Sequence, residues 1–80
     1  MRTAKQVADF INNERHQGFS DQDIAVSLGM TRARIQVEGE IVEIQSLKTV
    51  RDQSITFETW SEHTGEADIT VPYNTPVIEF

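Results

Sequence analysis

The sequence predicts an α+β fold, with two N-terminal helices packed on a small antiparallel sheet of three to four strands. Three observations lead there. Residues 3–17 carry apolar side chains at helical spacing, and residues 21–28 do the same between a serine and a glycine. From residue 54 onward, apolar and polar side chains alternate with the period of a strand. Eighty residues suffice for one core and are too few for two, so a helical half (1–33) and a β half (34–80) form a single domain.

The first helix is expected over residues 3–17. Thr3 can cap it, with Gln6 in the answering position of a capping box. Ala4, Val7, Ala8 and Ile11 then share one apolar stripe, with Phe10 beside it. Arg15 and His16 suit the negative end of the helix dipole, and Gly18 supplies the left-handed residue that ends it. The second helix is expected over 21–28. Ser20 is its N-cap, Asp21 and Asp23 favour its positive end, and Phe19 can staple to Ile24. Ile24, Ala25 and Leu28 form its buried face, and Gly29 is read as its stop. A helix this short survives only by packing, and the first helix is the expected support.

Ile24-Ala25, Leu28-Gly29-Met30-Thr31 and Ile35 resemble the core of the helix-turn-helix of bacterial and phage DNA-binding regulators. The resemblance covers about twenty residues. It implies that Ala25 permits close helix approach, Gly29 makes the turn, Thr31 caps a recognition helix and Ile35 packs inward. It further implies DNA contact by Thr31, Arg32 and Arg34, at a phosphate or a guanine edge. The chain departs from that pattern one turn beyond Ile35, where Glu38 and Gly39 stand in place of an apolar residue.

From Arg34 the residues favour a strand. Ile35, Val37, Ile41, Val42 and Ile44 are β-branched, and a bulge at Gly39-Glu40 would return Ile35, Val37, Val42 and Ile44 to one face. The expected strand runs over 34–47; the alternative is a helix carried through to Leu47. Residues 48–53 read as a polar connection. Strands over 54–61 and 67–72 form a hairpin around Gly65, with Ile55, Phe57, Ile69 and Val71 inward. Residues 77–80 form a last short strand or an apolar tail.

Composition narrows the function. No cysteine is present, which excludes disulfides, thiolate chemistry and cysteine-ligated metal. No apolar run reaches the length of a membrane span, and Met1 to Gln6 lack the apolar core of a signal peptide, so a cytoplasmic protein without a membrane partner is expected. The net charge of −6 is uneven: five basic against four acidic residues up to residue 37, then two against nine. His16 and His63 lack ligand spacing, and helix capping accounts for Asp21 and Asp23, so no metal is expected. The serines lack a nucleophile motif and the glycines stand singly. Neither catalysis nor a cofactor is expected.

Two binding functions remain. In one, the chain is a small regulator contacting duplex DNA through Thr31, Arg32 and Arg34, with the hairpin around Gly65 as a wing. In the other, the helices are scaffold, and Glu38, Glu40, Glu43, Glu58 and Trp60 dock a basic host protein. Compact, acidic, cysteine-free chains of this size resemble phage and mobile-element inhibitors of host machinery, anti-CRISPR and DNA-mimic proteins among them. For so small a core, a homodimer is a further expected partner.

Overall fold

The computed structural model describes residues 2–80; Met1, at the head of the expected helical half, lies outside them. The elements run β1 (Arg2–Thr3), α1 (Ala4–His16), α2 (Asp21–Met30), β2 (Arg34–Val37), β3 (Glu40–Arg51), β4 (Ser54–Ser61), β5 (Gly65–Pro72) and β6 (Pro76–Val77). Strands β2 to β5 form a four-stranded antiparallel meander, and β1 pairs with β6 in a separate two-stranded ribbon. This is the α+β architecture expected from the sequence, with the helices leading.

The start of α1 is a complete capping box. The Thr3 hydroxyl accepts from the Gln6 amide, and the Gln6 side chain accepts from the Thr3 amide at 2.8 Å. Ala4, Val7, Ala8 and Ile11 are buried as one stripe, and Phe10 is half-buried beside it. At the other end Gly18 takes φ +96, the Phe19 amide reaches Glu14 O and the Gly18 amide reaches Arg15 O. That pair of bonds is a Schellman cap, which needs a left-handed residue at the glycine position.

Helix α2 ends by the same motif, but not at its glycine. Gly29 lies within the last turn, Thr31 is the C-cap, and Arg32 is the left-handed residue at φ +56. The Ala33 amide bonds Leu28 O at 3.0 Å and the Arg32 amide bonds Gly29 O at 3.2 Å. Buried Leu28 and Ala33 supply the apolar contact that accompanies such a cap. Thr31 therefore closes a helix rather than opening one. Its hydroxyl donates back to Ser27 O and Leu28 O. No recognition helix follows; Arg34 begins a strand. Against expectation, α2 packs chiefly on β3 rather than on α1.

Residues 34–47 are not one bent strand. Glu38 and Gly39, both with positive φ (+52 and +83), form the two-residue turn of a hairpin that pairs Val37 with Glu40 and Ile35 with Val42. Such a turn pairs odd with even positions, so Ile35 and Val42 reach the same face without a bulge. A turn with positive φ at both central residues also matches the twist of the strands it joins. The bulges lie further on, between Ile44 and Ser46 and between Leu47 and Thr49. They break the alternation of β3, which is why Lys48 to Arg51 read as a connection when they are its last residues. The connection itself is Asp52-Gln53, with Gln53 at φ +71.

The core lies between the helices and the inner face of the meander. Ile35, Val42, Ile44, Leu47, Ile55, Phe57 and Val71 project into it from the sheet, and Ile24 and Leu28 from α2. Thr59 and Ser61 are the buried polar members of β4, and the Thr59 hydroxyl donates to Ala67 O. Arg15 joins three elements: Nε binds Asp21 at 2.8 Å, and one terminal nitrogen binds Ser46 Oγ and Leu47 O on β3. The tail seals the base of the fold, where the Arg34 and Ile78 backbones exchange hydrogen bonds and the Phe80 amide reaches Thr31 O.

Candidate functional site

Register decides which side chains meet. Because β4 buries Ile55, Phe57, Thr59 and Ser61, its other parity, Thr56, Glu58 and Trp60, faces outward. Pairing across the sheet then lines up Arg34, Glu43, Trp60 and Glu66, one from each strand of the meander. The adjacent row places Glu58 opposite Asp68, and the next places Thr56 opposite Thr70, their hydroxyls hydrogen-bonded at 2.7 Å. The outer face thus carries four carboxylates, Glu43, Glu58, Glu66 and Asp68, around one half-buried tryptophan.

Beside Trp60 lies an open cleft of about 360 Å³, bordered by Arg34, Glu40, Ile41, Glu43, Glu62 and His63. Ile41 is 47% exposed there, an apolar neighbour for the indole. Glu40 is half-buried and accepts from the Ser61 hydroxyl at 2.7 Å. A second basin of about 460 Å³ is bordered by Gln45, Glu58, Glu66 and Asp68, among others. Carboxylates beside an aromatic ring suit a cationic side chain, which gains from charge and from the ring quadrupole together.

The cations of this region are committed. Lys48 binds Asp68 at 2.6 Å. That hydrogen bond, and next the Coulomb attraction of the same carboxylate, hold the ammonium above its ordinary 10.5. Arg34 binds Glu79 at 2.6 Å, while its buried Nε has no hydrogen-bond partner. Neither neutralises Glu43, Glu58 or Glu66 by an ion pair.

The expected residues fall into two separated groups. Thr31 and Arg32 sit at the end of α2, exposed, whereas Arg34 lies in the sheet with Glu43 opposite it. Of the acidic set, Glu40, Glu43 and Trp60 share the cleft, Glu58 stands one row away, and Glu38 is an exposed turn residue. Sequence reasoning missed Arg34 and Ile41 as neighbours of Trp60. The hairpin register that brings them there was legible only in the Glu38-Gly39 turn. Among the described residues, no three His, Asp or Glu side chains gather to hold a metal ion, and no helix is long and apolar enough to cross a membrane. Comparison with protein-family models, curated proteins and solved structures finds no match to this chain.

Proposed function

We propose that this chain is a protein-binding module that docks a basic partner on the outer face of β3 to β5, with Trp60 as its anchor. One observation carries the reading: Glu43 and Glu66 flank Trp60 across the sheet, and the adjacent row sets Glu58 directly opposite Asp68 although like charges there weaken the sheet. A tryptophan within a polar rim is the usual composition of a binding hot spot. Clustered carboxylates present to a partner what a phosphate backbone presents, so the matching surface is one that otherwise holds nucleic acid. On this reading the chain is an inhibitor that occupies such a surface.

The test is capture of a basic protein from a lysate of the source cell. The complex should form at physiological salt, weaken steeply as salt rises and compete with duplex DNA. Trp60→Ala and Glu58→Lys should each abolish it. A partner that stays bound to both variants would remove this face from the interface.

A second reading, contact with duplex DNA through Thr31, Arg32 and Arg34, is favoured by the exposed Arg32 side chain, which makes no ion pair among the described residues. It requires salt-sensitive duplex binding that falls when Arg32 and Arg34 become alanine. No retardation of duplex at low salt would eliminate it.

A further inference from the structure

Helix α2 and the residue before its N-cap carry exposed apolar side chains that nothing among the described residues covers. Phe19 is 49% exposed, Val26 60% and Met30 81%. Val26 and Met30 are one turn apart, and Asp23 continues the column back to Phe19. Single exposed apolar residues are ordinary, but Val26 and Met30 share one side of the ten-residue helix, and Phe19, just before the N-cap Ser20, extends that side past the acidic Asp23. Alongside it lies a cleft of about 210 Å³ formed by Glu14, Phe19, Asp23, Ile24 and Ser27.

The two ends of α2 carry opposite charge. Asp21 and Asp23 occupy its first turn, and Arg32 follows its last. Asp21 is bound to Arg15, which leaves Asp23 without an ion pair among the described residues. Turned end for end, that side of the helix is complementary to itself. The acidic end meets the basic end twice, the helix dipoles oppose, and an unbranched methionine at one end meets a cleft at the other.

We propose that a second copy of this chain docks antiparallel on α2. The two Val26 side chains meet at the two-fold axis, each Met30 enters the cleft beside Phe19 of the other copy, and each Asp23 faces the opposite Arg32. The contact is isologous and therefore closes at two. Because α2 covers the inner side of the sheet, both acidic faces stay free, so the dimer presents two binding faces to partners.

Sedimentation of the wild-type chain over a wide concentration range should show a weak monomer–dimer equilibrium, as small interfaces give. Val26→Glu should be monomeric throughout, with an unchanged circular dichroism spectrum. Asp23→Arg should weaken the dimer at least tenfold, and adding Arg32→Asp should restore it. The chain has no cysteine, so Val26→Cys supplies one thiol; mild oxidation should link it to itself, while Gln53→Cys at the far turn links more slowly. A wild-type chain that stays monomeric at every concentration overturns the proposal. So does a dimer that survives Val26→Glu, or Val26→Cys linking no faster than the control.

Discussion

Glu58 and Asp68 stand directly opposite each other on the outer face of β4 and β5, and Lys48 binds only Asp68. Facing carboxylates on a sheet are destabilising, by a few tenths of a kcal/mol at an exposed position. Replacing Glu58 with Gln removes the repulsion while keeping the side chain's shape. Glu58→Gln should therefore raise the urea midpoint slightly and lower affinity for the basic partner at least tenfold. A variant with unaltered affinity would show that this carboxylate belongs to the solvated surface alone.

The Lys48–Asp68 pair predicts a pH effect on the alkaline side. The Lys48 pKa is raised above 10.5, first by its hydrogen bond to Asp68. A group with a raised folded pKa contributes stability that is fully present below its unfolded value and is lost as pH rises through the folded one. In a Glu58→Gln background, where the facing repulsion is already gone, Asp68→Asn should be less stable than its parent at about pH 8, and the difference should shrink at strongly alkaline pH as Lys48 deprotonates. Both positions are exposed, so the effect is small. Paired thermal melts at the two pH values measure it, and a gap that widens with pH contradicts the sign.

Arg32 predicts a gain from a mutation. It holds the left-handed cap position of α2 at φ +56, where a side chain costs roughly 1 kcal/mol relative to glycine. Arg32→Gly should stabilise the fold by about that amount in urea titration, and Arg32→Ala should not. If duplex DNA is the ligand, both variants lose it equally. Strain at Arg32 and contact by Arg32 are thus separable in a single pair of proteins.

Much of the fold was legible because local chemistry agreed with tertiary packing. Thr3, Gln6, Gly18 and Ser20 do what capping rules assign them, and Ile55, Phe57 and Val71 are buried as their alternation requires. The misreadings have common causes. Gly29 drew the helix stop to itself, but a non-glycine can hold the left-handed position when Leu28 and Ala33 bury the motif. Gly39 looked like a bulge because parity was counted along one strand, whereas a hairpin pairs opposite parities. The strand ending at Arg51 was hidden because two bulges erase its period.

The candidate site was half legible. Glu43, Glu58 and Trp60 could be named because each lies outward on a strand. That Arg34, Glu43, Trp60 and Glu66 form one row depends on the registers of three strand pairs, which no single segment encodes. Of the ribbon, only β6 was foreshadowed: the last strand read at 77–80 is present but lies at Pro76–Val77, and two-residue strands exist only because the tertiary structure brings them together.

That ribbon has a kinetic consequence. Arg2 pairs with Val77, closing a loop of about 75 residues, whereas the hairpins of the meander close over turns of a few residues. Local hairpins can zip in microseconds, whereas a pairing this distant in sequence is slower to find. On loop-closure entropy alone, the clasp between Arg2–Thr3 and Pro76–Val77 is the costliest of these strand pairings to close.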